Sequence, residues 1–204
     1  MGRRVEYTSA PVNLVNVVRR PRLGALVCVL GLTLGLAACG KTNTPPTAEN
    51  DGVYVTAGPV TYQLQISREL NQYDTEDRQY VAGLPSGMSS SLAPNQLWYG
   101  VFLWAKNQTK RSQTTSDNFD IVDSAGDTYY PIKLNPALNP YAWTPESLPP
   151  GQTEPAPDTT ASFGPTQGGL LLFKLNTSVY DNRPLTLQIK GPTGRVWASI
   201  SLDL

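Results

Sequence analysis

Three groups of side chains carry the chemistry open to this chain. In the first, Asp74, Glu76 and Asp77 crowd one short segment between Asn71 and Tyr80, a density of carboxylate oxygen that suits a calcium ion or a basic partner. Calcium takes about six to eight oxygens. The same residues also read as the start of a short helix. Asp74 is then the N-cap, Glu76 and Asp77 complement the dipole in the first turn, and Gly83 terminates the helix before Pro85. This structural reading is preferred, so no metal site is assigned. The second group is Asp117, Asp120, Asp123 and Asp127. Strand alternation sends Asp120 to the face opposite Asp117 and Asp123, while Asp123 and Asp127 flank a turn, where short carboxylates bond nearby backbone N–H groups. A glycosidase needs two carboxyl groups about 5 to 9.5 Å apart across a cleft, and nothing in this spacing creates such a pair. No catalytic residue is assigned. The third group is aromatic: Tyr129, Tyr130, Tyr141 and Trp143 lie in or beside a Pro-rich connection, in which Pro140 and Pro145 hold an extended segment. Rings on such a segment either form a platform for a peptide or sugar, or pack over an open end of the fold. These four are the candidate binding residues.

Composition excludes more chemistry than these motifs include. The chain has no histidine, which removes Ser-His-Asp and Cys-His catalysis, His-Glu-x-x-His zinc sites and imidazole-ligated copper or haem. No metal or other cofactor is expected. The two cysteines, Cys28 and Cys39, both precede the folded region, so the domain is expected to hold together by its core and without a disulfide.

Cys39 has a different role. Arg19, Arg20 and Arg22 precede an uncharged segment from Leu23 to Ala38, the order of a secretory signal. That segment is short for a membrane span of about 20 apolar residues. Its end, Leu36-Ala37-Ala38-Cys39-Gly40, resembles the lipobox of bacterial lipoproteins. The resemblance implies cleavage between Ala38 and Cys39, a diacylglyceryl group on the Cys39 thiol, and a protein held on the extracytoplasmic face of the cell membrane. Five arginines and one glutamate precede Cys39, so 11 of the 16 basic and 15 of the 16 acidic residues follow it. A net charge of about −4 gives no electrostatic footprint for nucleic acid.

Residues 1–38 are thus read as a signal peptide, 39–57 as a lipidated flexible tether and 58–204 as one folded domain. Within the domain the period is two. Val60, Tyr62, Leu64 and Ile66 alternate with polar residues; Leu97 to Ala105 is apolar on both faces and reads as a central strand. Phe119 to Asp123 and Thr128 to Ile132 flank a turn with Gly126. Leu170 to Leu175, Leu185 to Lys190 and Arg195 to Leu202 complete about seven strands, which predicts an all-β, antiparallel sandwich. The order of Val101 to Asn107, Phe119 to Asp123, Gly126, Tyr129, Pro150-Gly151 and Leu171 to Leu175 resembles the immunoglobulin-like (telokin-like) domains of Gram-positive and actinobacterial lipoproteins. That resemblance implies an extracytoplasmic immunoglobulin-like sandwich with no assigned activity.

The expected function is therefore a non-catalytic envelope lipoprotein whose sandwich binds another envelope protein or a polymer, with a carbohydrate-binding module or accessory to a carbohydrate enzyme as the alternative. Two acyl chains anchor stably where one binds only marginally. Accordingly, Cys39→Ala should abolish labelling by a fatty-acid probe and move the protein out of the membrane fraction. Retained label would assign the anchor to another residue.

Overall fold

The computed structural model describes residues 44–202 and 204. The expected signal segment, the Ala38–Cys39 cleavage position and the lipidated Cys39 lie outside the described residues. In chain order the strands are β1 (Thr47–Ala48), β2 (Tyr54–Ala57), β3 (Val60–Leu70), β4 (Gln96–Asn107), β5 (Gln113–Thr114), β6 (Asn118–Val122), β7 (Thr128–Tyr129), β8 (Ser147–Leu148), β9 (Thr153–Glu154), β10 (Gly169–Asn176), β11 (Leu185–Lys190) and β12 (Val196–Leu202). They form two sheets, β1-β12-β11-β6-β7 and β10-β4-β3-β2. β9 extends the second by pairing with β4, and β5 and β8 make a separate ribbon. All neighbours run antiparallel except β1, which is parallel to β12. No helix among the described residues is long and apolar enough to cross a membrane.

The predicted β-sandwich is present. Leu64, Tyr99, Leu103 and Phe173 of one sheet meet Phe119, Ile121, Leu187 and Ile200 of the other in the buried layer between them. Strand β4 lies inside its sheet, between β3 and β10, which accounts for its apolar residues on both faces. Tyr99, Val101 and Leu103 enter the inter-sheet core, whereas Trp98 and Phe102 enter a second core on the outer face of the same sheet. That outer core is closed by Tyr80, Val81, Leu134, Tyr141 and Ala161, none of them in a strand. The long connection from residue 134 to 168 is therefore a third layer, packed on the sandwich.

Three expectations need correction. The segment read as a tether is ordered from Thr44 and begins the sandwich. β1 pairs with Ser199 and Ile200, β2 pairs with the start of β3, and Pro45 and Pro46 carbonyls accept hydrogen bonds from the Thr56 and Ser199 amides. Ala48, Val55 and Ala57 point inward while their neighbours remain polar. Runs this short carry too little alternation to be told from loop. Second, Ile66 does not face the core: a bulge between Leu64 and Ile66 adds one residue to β3 and turns its later side chains over, leaving Ile66 36% exposed. Third, the strand expected over Thr128 to Ile132 ends at Tyr129. Pro131 has no N–H for the ladder, and the chain leaves for the other sheet, where the Ile132 amide donates to the Leu172 carbonyl at 2.7 Å.

The two cores make separate demands, so Phe173→Ala should empty the inter-sheet layer and Phe102→Ala the outer one. Each should cost about 3–5 kcal/mol in chemical denaturation. A negligible cost for Phe102→Ala alone would mean that the outer layer contributes little to holding the fold.

Candidate functional site

Asp74, Asp77, Asp120 and Asp123 have structural partners, whereas Asp117 lines a groove beside Trp143. Asp74 Oδ1 accepts the amides of Glu76 and Asp77, opening a single 3-10 turn over Asp77–Gln79 in place of the expected longer helix. Asp77 is buried, takes two hydrogen bonds from Arg68 at 2.6 and 3.1 Å, and accepts the Asn71 amide at 2.8 Å. Burial pushes its pKa up, but Arg68 and the Asn71 N–H outweigh that and hold it below the ordinary value. Asp123 ties the β6–β7 turn by accepting the Ala125 and Asp127 amides, the Tyr129 hydroxyl and the Asn182 side chain. Gly126 takes the positive φ of +91° that this turn requires. Asp120 is buried in an ion pair with Lys190.

The aromatic residues separate into different roles. Tyr141 is only 4% exposed. Its ring meets Tyr80 edge-on at 4.8 Å and its hydroxyl donates to Gln79 Oε1 at 2.7 Å, so it belongs to the outer core and not to a binding face. The segment it lies on lacks strand pattern, yet it bonds the edge of β10: the Leu170 amide donates to the Tyr141 carbonyl and the Trp143 amide to the Leu170 carbonyl. Asn139 positions this segment, donating from Nδ2 to the Tyr80 and Ala82 carbonyls and accepting the Tyr141 amide. Trp143 plugs one end of the space between the sheets. It stands 6.1 Å from Tyr62 and edge-on to Phe119 at 5.6 Å, and its Nε1 donates to the Ser116 carbonyl. A Cβ at Gly169 would lie 2.7 Å from the indole, so only glycine admits the ring there. Tyr129 is engaged by Asp123, and burial with that carboxylate pushes its pKa up to about 12. Tyr130 alone is freely exposed, at 69%.

Beside Trp143 runs a groove of about 410 Å³. Its walls are the two segments that bond β10, 131–136 and 142–145, and its floor includes Leu170 and Leu171. Asp117, Lys133 and Thr144 supply its polar edge. Most of its lining residues are apolar, although backbone and polar side chains supply nearly half of its exposed surface, and its size is within the range of ligand sites.

A residue that sequence reasoning passed over lies next to it. Glu154 is 4% exposed, and neither carboxyl oxygen has a hydrogen-bond partner of ordinary geometry. The register explains its burial. Ala105 of β4 pairs with Tyr62 on one side and Glu154 on the other, so all three side chains share the inward face. Burial pushes the Glu154 pKa up to about 8, with a further rise from nearby Glu146 that Thr115 and the Thr144 backbone only partly offset. Its flanking Thr153 and Pro155 read as exposed loop, and no local signal marks it.

No family model matches the chain, and no curated protein sequence matches it. The fold is similar to that of the yjhA protein from Bacillus subtilis, with a TM-score of 0.50 and 11% identity, covering 76% of this chain and 99% of that one. An uncharacterised β-sandwich protein from Clostridium difficile 630 aligns with a TM-score of 0.40 and 11% identity, covering 79% and 96% of the two chains. At this identity the yjhA likeness concerns the fold alone. The class defined by these features is a β-sandwich.

A carboxyl whose pKa is raised by folding keeps a proton that the unfolded chain has released. Its contribution is complete below about pH 4.5 and is lost as pH rises towards 8. Glu154→Gln should therefore leave stability little changed near pH 4.5 and raise it at pH 8, by on the order of 2–4 kcal/mol. Denaturant titrations at the two pH values check this; a variant destabilised equally at both would show that Glu154 is held by partners in solution.

Proposed function

We propose that this chain is a lipid-anchored, non-catalytic β-sandwich of the cell envelope, held to the membrane through diacylglyceryl-Cys39, with the groove beside Trp143 receiving a segment of another envelope protein. The observation that carries the binding role is the groove itself, walled by two segments that hydrogen-bond the β10 edge and lined by Pro131, Ile132, Pro136 and Pro145 with Lys133 and Asp117 at its margin. Proline-rich walls lose little conformational entropy when a ligand orders them. The anchor rests on the lipobox resemblance around Cys39 and the signal-like segment before it.

The carbohydrate reading is the weaker of the two. Sugar platforms need an open aromatic face, and Trp143 has Tyr62, Phe119 and Gly169 packed around it.

Lys133 and Thr144 are exposed groove residues, so Lys133→Glu with Thr144→Arg changes the groove's charge and width without disturbing either core. In crosslinked cells the double variant should lose a partner protein that the wild type captures, with the melting temperature within a few degrees of wild type. Equal capture by both would remove the groove from the reading. Recovery of glycan alone would favour the carbohydrate module.

A further inference from the structure

A second, smaller pocket of about 160 Å³ shares Trp143 and Thr144 with the groove and has Glu154 and Glu146 among its lining residues. None of the described residues lining it is basic. Its remaining wall includes Pro136, Pro140, Ala142 and Pro155, surfaces suited to methylene groups. Two carboxyl groups therefore share one pocket without a cation. One of them, Glu154, is almost wholly buried, and its two oxygens have no hydrogen-bond partner of ordinary geometry, with Thr115 and the Thr144 N–H only partly serving them. Buried carboxyl groups are ordinarily paired or fully hydrogen-bonded.

We propose that this pocket receives a primary ammonium group at the end of a lysine-type side chain of a partner protein, with Glu154 as its principal acceptor and Glu146 as a second negative charge. The chemistry matches on three counts. An ammonium offers three donors and no acceptor, the complement of a buried carboxylate whose nearby donors, Thr115 and the Thr144 N–H, do not reach it in ordinary geometry. The volume holds on the order of five water-sized groups at about 30 Å³ each, the size of four methylenes and a nitrogen. The apolar wall covers the stem while the head reaches the acid, the usual division of a lysine side chain.

The ionisable groups facing Glu154 are Glu146 and Tyr62. Burial, and Glu154 itself, keep the Tyr62 phenol protonated well above its ordinary range, so the two glutamates alone set the charge of the pocket. Because free Glu154 holds its proton up to about pH 8, entry of an ammonium must expel that proton, and the release favours binding at higher pH. The ligand amine stays charged throughout, with an ordinary pKa of about 10.4.

The inference rests on the reading of this end of the sandwich as a protein-binding surface, and not on the Cys39 anchor. The test is titration of the purified full chain with Nα-acetyl-lysine amide, with Nα-acetyl-norleucine amide as the uncharged control. Affinity for the lysine amide should rise about tenfold from pH 7 to pH 9 as Glu154 ionises, and the norleucine amide should bind at least tenfold more weakly. Glu154→Gln should abolish the pH dependence. In the wild type, carboxyl NMR should show the Glu154 pKa falling by about two units on saturation, a readout that needs no variant to fold. Equal binding of the two amides, pH-independent affinity or an unmoved Glu154 titration would overturn the proposal. If crosslinking to a partner protein through the groove persists while the lysine amide fails, the groove reading stands and the ammonium pocket falls.

Discussion

Strand β4 must be buried on both faces, and most of the architecture follows from that requirement. Tyr99, Val101 and Leu103 find their partners in the facing sheet, as in any two-layer sandwich. Trp98 and Phe102 on the opposite face have no second sheet to meet. Left uncovered, they would form an exposed aromatic patch of a kind soluble proteins rarely carry. The chain resolves this by laying loops over the sheet: Tyr80 and Val81 from the β3–β4 connection, Leu134, Tyr141 and Ala161 from the connection before β10. Burying loops costs hydrogen bonds unless every backbone group is met. Asn139 and the amides of Ile132 and Trp143 supply several of those bonds by tying the covering segments to one another and to β10.

The groove is a consequence of that covering layer. Two segments reach the same edge of β10 from different directions, one through Ile132 and the other through Ala142 and Trp143, and the space between them is left open to solvent. Trp143 stops that opening from penetrating the inter-sheet core by filling the end of the sandwich against Tyr62 and Phe119. Candidate recognition surface and core closure are therefore built from the same few residues. The exposed margin at Lys133 and Thr144 can vary with little cost, whereas Trp143 and Gly169 constrain each other through direct contact.

The buried charges divide along the same lines. Asp77 with Arg68 and Asp120 with Lys190 are paired, and removing one partner from such a pair leaves an uncompensated buried charge. Glu154 has no partner cation and holds its proton in compensation. A buried acid with no cation is a poor way to stabilise a fold, since an apolar side chain of the same shape would avoid the desolvation. Its place in the lining of a pocket, with no cation beside it, is what separates it from the paired aspartates.

Local pattern was enough for those elements whose signal lies within one stretch of chain. Alternation placed β3, β4, β6 and β10 to β12, the doubly apolar Leu97 to Ala105 identified an interior strand, and Asp123 with Gly126 marked a turn because a carboxylate and a positive φ act within a few residues. The absence of histidine and the setting of Cys39 are likewise complete in the sequence. What the sequence could not contain was any property set by residues far apart in the chain. Tyr141 reads as a loop aromatic until Tyr80, 61 positions earlier, closes over it. Thr47 and Ala48 read as tether until β12 offers an edge. Ile66 reads as inward until pairing with β4 forces a bulge. Glu154 reads as a solvated loop acid until the β4 register sets it, buried, beside Ala105 and Tyr62, with no ion-pair partner among the described residues. Desolvation and pairing are decided by whichever strand arrives from elsewhere, and so the acid with the largest claim to a function became visible only in the folded chain.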